Sequence, residues 1–200
     1  VAKLDSSGNW QWAKRAGGTG ADESVGLAVD ANGNAYITGY FTGTATFGDN
    51  ISLDSAGGSD VFVAKLDSSG NWQWAKRAGG AGGAIGYALA VDSNDNIYIT
   101  GRFSSTSYFG DTELVSTSNF DAFVAKLDSS GNWQWAEHIV GSTYGYDYGS
   151  GIAVDSSNNV YVTGQFGNTV TFGGSISLTT PNSLTDAFVA KLNTNGVWQW

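Results

Sequence analysis

Four copies of one sentence run through the chain. Val1-Ala2-Lys3-Leu4 opens the first, and Val63, Val124 and Val189 open the others, at spacings of 62, 61 and 65 residues. Each V-A-K-L is followed by a turn and then Trp-x-Trp: Trp10/Trp12, Trp72/Trp74, Trp133/Trp135 and Trp198/Trp200. A fixed period of this size marks one supersecondary unit copied along the chain. Each unit must bury its apolar faces against its neighbours, because it is too small to bury them alone.

The unit reads as strands. Leu27-Ala28-Val29-Asp30 is a short apolar run, Ala31-Asn32-Gly33 turns it, and Asn34 to Phe41 returns. Asp60 to Asp67 and Asn71 to Arg77 form a second such pair around Ser68-Ser69-Gly70. Between the pairs, Thr46-Phe47-Gly48 and Ile51-Ser52-Leu53 suggest a small hairpin. Turn residues at these intervals between β-rich runs predict an antiparallel meander of four main strands. Gly33 becomes Asp95 and then Asn158, and the second turn keeps Gly8, Gly70, Gly131 and Gly196. These residue types tolerate the left-handed backbone of a three-residue hairpin loop. The third main strand is apolar on both faces, with Val61 and Val63 on one and Phe62, Ala64 and Leu66 on the other. Such a strand belongs to a sheet covered on both sides.

At these residues the chain resembles the bacterial SBBP family of β-propeller repeats. The matching text is A-V-D-x-x-x-N-x-Y-[IV]-T-G at 28–39, 90–101 and 153–164, then D-x-F-V-A-K-L at 60–66, 121–127 and 186–192. The resemblance implies an all-β fold of four-stranded antiparallel blades in secreted or surface-displayed proteins, with no shared catalytic residues. We expect a single repeat array over 1–200: a half blade at about 1–18, then repeats at 19–80, 81–141 and 142–200. A β-solenoid is the competing fold. The chain opens inside a repeat and stops where each earlier copy continues with Ala. This leads us to expect a segment of a longer protein, with further blades supplied by that chain or by copies of itself.

The formal net charge is -9, which disfavours nucleic acid as a partner. No apolar run approaches the ~20 residues that span a bilayer as a helix. Cysteine is absent, so no disulfide framework can form.

The Trp pairs are the first candidate site. Residues i and i+2 of a strand share a face, so Trp10/Trp12, Trp72/Trp74 and Trp133/Trp135 are each expected to form one indole-covered patch. Such a patch suits sugar stacking if exposed and packing between blades if covered. A Tyr-rich loop, Tyr144, Tyr146 and Tyr148, is the second candidate for ligand contact. Asp30, Asp92, Asp95 and Asp155 imitate the first ligands of a calcium loop but lack its distal glutamate. Asx-turn hydrogen bonding explains the same residues, so no cofactor is expected. Lys65, Lys126 and Lys191 recur in apolar strands, as do Asp60, Asp121 and Asp186. A buried charge needs a partner, so these are expected to form structural ion pairs. His138 stands alone, where earlier copies carry Arg15 and Arg77. The expected function is a non-enzymatic extracellular or cell-surface scaffold or adhesion module that binds protein or glycan. The alternatives are a structural subunit assembling between chains and, third, a propeller-fold hydrolase or lyase.

Overall fold

The chain is described by a computed structural model over residues 1–142, 145–181 and 184–200. It is all-β, with every ladder between strands antiparallel and no helix among the described residues. The first unit contributes β1 (Ala2–Leu4), β2 (Trp10–Ala13) and β3 (Ala16–Gly18). The second holds β4 (Asp22–Val29), β5 (Ala35–Phe41), β6 (Thr44–Phe47), β7 (Ile51–Asp54), β8 (Asp60–Leu66) and β9 (Trp72–Gly80). The third repeats this as β10 (Ala84–Val91), β11 (Ile97–Phe103), β12 (Thr106–Phe109), β13 (Thr112–Val115), β14 (Asp121–Leu127) and β15 (Trp133–Gly141). The fourth ends with β16 (Tyr148–Val154), β17 (Val160–Gly167), β18 (Thr169–Phe172), β19 (Ile176–Thr179) and β20 (Thr185–Leu192).

The expected four-strand meander is present as β4-β5-β8-β9 and as β10-β11-β14-β15. Each of these sheets has six strands rather than four, because the small hairpin of the following unit joins it. Ser107 and Tyr108 of β12 pair with Gly80 and Gly79 of β9, and Val170 to Phe172 of β18 pair with Gly141 to Ile139 of β15. The same exchange joins β6 to β3. The hairpin also explains why the fourth strand outruns its expected end at Arg77. A backbone partner lets β9 continue to Gly80, where a loop was expected. The fourth unit shows a three-stranded sheet, β16-β17-β20, with only a bridge from Leu192 to Trp198 in place of a fourth strand. Separate antiparallel sheets packed face to face leave no room for the solenoid alternative, in which strands of successive units would stack in register.

The third main strand behaves as its two apolar faces require. Val61 and Val63 of β8 are buried in a cluster with Ala84, Leu89, Ile97 and Ile99 of the next sheet. Phe62 and Ala64 point back to a cluster containing Phe47 of the preceding one. Val124 repeats this toward Val160, Val162 and Phe166. In β20 only Phe188, Ala190 and Leu192 are buried, and Val189 is 59% exposed.

The Y-[IV]-T-G text maps onto this stacking. Thr38, Thr100 and Thr163 donate their hydroxyls to the carbonyls of Phe62, Phe123 and Phe188 on the next strand. The following glycine faces a bulge in the inner strand, between Ser24 and Gly26 in β4 and between Gly86 and Ala88 in β10. The bulge pushes the carbonyls of Glu23 and Ile85 into the space where a Cβ of Gly39 or Gly101 would sit. Only glycine fits such a close approach.

Turn glycines are held by two different constraints, which can be separated. Gly8 and Gly70 share φ +82, but a Cβ on Gly8 meets open space while one on Gly70 lies 2.7 Å from Trp12 Cδ2. Gly8→Ala is therefore expected to destabilise by about 1 kcal/mol through backbone strain alone. Gly70→Ala should lose a further ~1–3 kcal/mol from overpacking. Denaturant unfolding of both variants checks this; equal losses would contradict it.

Candidate functional site

The Trp pairs do not form single patches. A register shift between Lys65 and Leu66 pairs Lys65 with Trp74 but Leu66 with Trp72, leaving Gln73 as the extra residue. A β-bulge breaks the two-residue alternation, so the two indoles serve opposite faces. Trp72 packs edge-on against Phe47 of the preceding sheet's hairpin, with centroids 5.3 Å apart. Trp133 and Trp198 do the same on Phe109 and Phe172. The second indole reaches forward. Trp12 Nε1 donates to the Ser68 carbonyl and Trp135 Nε1 to the Thr194 carbonyl, each at 3.2 Å in the next unit's turn. A Cβ on Gly131 would similarly meet Trp74. Trp72/Trp74 and Trp133/Trp135 thus each clasp one sheet before them and one after. Trp10, with no earlier sheet to clasp, is 70% exposed.

The lysines do not pair with the strand-opening aspartates as expected. Tyr36, Lys65 and Trp74 form a row across three strands, with Lys65 Nζ 4.9 Å from the Tyr36 centroid. Lys126 over Tyr98 and Lys191 over Tyr161 repeat it. Their stems are covered by aromatic rings while the ammonium reaches the rim, which removes the need for a carboxylate. The aspartates sit at the other end of the strand. Asp60 is fully buried and accepts from Arg77 Nη1 at 2.8 Å, and Asp121 meets His138 Nε2 at 2.7 Å. Asp186 is exposed and makes no ion pair among the described residues.

The aspartates that imitate a calcium loop have their oxygens engaged. Asp92 Oδ1 accepts the N–H groups of Asn94 and Asn96, and Oδ2 accepts Asn96 Nδ2 and the Tyr98 hydroxyl. Asp30 and Asp155 repeat all four bonds. Burial raises the carboxyls of Asp30 and Asp92, but these hydrogen bonds outweigh it and the net shift is downward. Asp95 instead takes the left-handed turn position, at φ +61. Among the described residues no three His, Cys, Asp or Glu side chains gather to hold a metal ion.

At the strand ends opposite these turns, the copies differ and a distinct patch forms. Arg102 stands in β11 where the other copies place Tyr40 and Gln165. Its guanidinium lies 4.3 Å from the Phe120 centroid and 5.7 Å from that of Tyr87. Tyr87 meets Tyr148 edge-on at 5.6 Å, and Phe120 lies 6.0 Å from Tyr146, to which its backbone is bridged. Tyr146 is 51% exposed. Arg102 makes no ion pair among the described residues, and its Nε is buried without a hydrogen-bond partner. Of the expected Tyr loop, Tyr146 and Tyr148 enter this patch, and Tyr144 lies outside the described residues. Tyr87, Arg102 and Phe120 were not singled out in the sequence. Their signal is only that they fall at positions where no two copies agree: Val25/Tyr87/Ser150, Tyr40/Arg102/Gln165 and Ser59/Phe120/Thr185.

The same end shows what His138 does. Ser118 Oγ and His138 Nε2 both contact the Asp121 carboxylate, from opposite oxygens. A nucleophilic relay needs histidine between hydroxyl and carboxylate; here the carboxylate is between the other two.

Comparison with known proteins fits this geometry. The SBBP β-propeller repeat model matches residues 11–40, 73–107 and 138–165. Three stretches of the chain thus match the SBBP β-propeller repeat. An uncharacterized WD repeat-containing protein of Acanthamoeba polyphaga mimivirus is 25% identical over 94% of this chain and 16% of its own length. The regulatory protein FlaEY of Caulobacter vibrioides is 28% identical over 67% of this chain and 14% of its own. The chain therefore spans about a sixth or less of these relatives. Each match to the repeat model runs on from the Trp strand of one SBBP unit into the first two strands of the next.

Because the Asp30, Asp92 and Asp155 oxygens already accept four donors each, adding calcium or a chelator at neutral pH is expected to leave the melting temperature unchanged. The lowered carboxyls stabilise the fold fully above the unfolded value near ~3.9 and lose that contribution as pH falls through their folded values. Calorimetry with calcium, with chelator and in acid checks both statements. Calcium stabilisation removed by Asp92→Asn would contradict them.

Proposed function

We propose that this chain is a non-enzymatic protein-interaction scaffold of an extracellular or cell-surface protein. Its stacked SBBP blades hold a partner through the patch of Arg102, Phe120, Tyr87, Tyr146 and Tyr148. The observation that carries this reading is the Arg102 guanidinium, clamped by rings and without an ion-pair partner among the described residues. Arginine and tyrosine held rigidly at a half-exposed site are the residue types that dominate protein recognition. The WD-repeat name of one relative supports the same reading, and the location outside the cell rests on the family resemblance. Glycan recognition by the Trp pairs is less favoured, since Trp72 and Trp133 are committed to the Phe47 and Phe109 contacts.

A second reading has its own observation. Val25, Leu27 and Val29 of β4 are 44%, 55% and 57% exposed, and Val189 of β20 is 59% exposed, although Val63 and Val124 at the same repeat position are fully buried. These are blade-to-blade faces without a blade. Covering them with further repeats, from a longer chain or a second copy, makes the chain a structural subunit.

Cross-linking of the purified chain in an extract of its source cells tests the first reading. The double variant Arg102→Glu, Tyr146→Ser is expected to retain a captured protein at least ~10-fold less well, while Trp10→Ala retains it fully. Equal capture by all three contradicts the patch. Light scattering tests the second reading: a defined oligomer that Val189→Asp dissociates supports it, and a monomer at every concentration opposes it.

A further inference from the structure

The junctions between successive sheets carry buried carboxylates, and one junction is unlike the others. Eight residues ahead of the turn aspartates Asp30, Asp92 and Asp155 stand Asp22, Ala84 and Asp147. Between the second and third units the site holds one buried carboxylate, Asp60, with Arg77 on it and Ala84 opposite. Between the third and fourth units it holds two, Asp121 and Asp147, both fully buried. Here the arginine is replaced by the chain's only histidine.

The two carboxylates converge. A Cβ built on Gly141 would overlap Asp147 Oδ2 and would lie 2.7 Å from Asp121 Oδ1. Asp121 is well supplied: Thr117 donates N–H to Oδ2 at 2.8 Å, His138 meets the same oxygen, and Ser118 Oγ donates to Oδ1. Asp147 is not. Its Oδ1 accepts the Gly167 N–H at 2.8 Å, and its Oδ2 is buried with no partner. Among the described residues, the other charged or titratable groups near it are engaged elsewhere. Arg102 of β11 lies over Phe120 and Tyr87, Glu137 of β15 lies by Trp198, and Tyr148 of β16 bonds Gln165. No arginine or lysine faces Asp147 among the described residues.

We propose that this junction takes up a proton, held by Asp147 against Asp121, and that the proton fastens the loop carrying Tyr146 and Tyr148. A protonated carboxyl supplies the missing donor at Oδ2 and removes the repulsion between two buried charges, with no cavity required. Burial first, and then the Asp121 charge, push the Asp147 carboxyl up to about 6 against the Gly167 hydrogen bond. The sign follows. The folded chain binds this proton more tightly than the unfolded one, so the stabilisation is present at acid pH. It is lost as pH rises through about 6, opposite to the turn aspartates. The junction lies directly beneath the Tyr146 patch, because the Asp147 N–H donates to the Phe120 carbonyl. The proposal stands whether or not that patch binds a protein.

The test is calorimetry of the intact chain between pH 5 and pH 7.5, with hydrogen exchange at the Gly167 amide. The wild type is expected to melt a few degrees lower at pH 7.5 than at pH 5, with lower protection of the Gly167 amide relative to its intrinsic exchange rate. Asp147→Asn supplies a permanent donor at Oδ2. It should match the wild type at pH 5, melt higher at pH 7.5 and keep the same protection of the Gly167 amide, relative to the intrinsic rate, at both pH values. His138→Arg restores the residue of the earlier copies and should flatten the same dependence, which provides a second route if the asparagine variant folds poorly. A wild-type melting temperature that is level or rising across this range, unchanged in both variants, overturns the proposal. So does calcium stabilisation at pH 7.5 that Asp147→Asn abolishes, which would make the junction a metal site.

Discussion

Burial of both faces of each sheet by its neighbours is the constraint on which the rest of the structure depends. A β-sheet with Val61 and Val63 on one side and Phe62 and Ala64 on the other has no face to offer water. At ~25 cal/mol per Å² of apolar surface removed from water, stacking rather than any single contact holds the units together. The remaining conserved-looking text of the repeat serves the same end. Threonine and glycine shape the sheet for close approach, and the hairpin of each unit is lent to the sheet before it. In the two middle Trp pairs one indole grips backward and the other forward. The hairpin exchange adds to this cohesion, since it makes each six-stranded sheet the property of two units. A unit cannot leave without opening a hydrogen-bonded ladder.

Much of this is legible in the sequence, because a repeated residue has a repeated cause. The strands, the turns at Asp30, Asp92 and Asp155 and the left-handed turn residues follow from residue types at fixed spacing. The two-sided burial follows from alternating apolar residues in D-V-F-V-A-K-L. What escaped the sequence escaped for physical reasons. The bulge at Gln73 has no glycine or proline to announce it, yet it sends Trp72 and Trp74 to opposite faces. The hairpin at Thr44–Asp54 was visible, but its pairing with a strand of the previous unit depends on tertiary packing. The aspartates of D-x-F-V-A-K-L and its lysines sit at opposite ends of one strand, so they recur together without touching.

The proposed interaction patch and proton site lie where the copies differ. Arg102 stands where the other copies carry Tyr40 and Gln165, His138 stands where they carry Arg15 and Arg77, and Asp147 stands where the preceding unit carries Ala84 and the one before it Asp22. All three lie at the end of the stack away from the Asp turns, around the junction of the third and fourth units. The scaffold is uniform and the departures from it are local, which is how a repeat array acquires a site without changing its fold.

The most direct test of the stacking account compares one substitution at two copies of the same position. Val124 is fully buried between two sheets, and Val189 is 59% exposed on a face without a neighbour. Denaturant unfolding of Val124→Ala should show a loss of roughly 2 kcal/mol from transfer and cavity terms, and Val189→Ala a change within ~0.5 kcal/mol. Equal losses at the two positions would contradict the claim that burial between sheets, and not strand propensity within them, holds the array together.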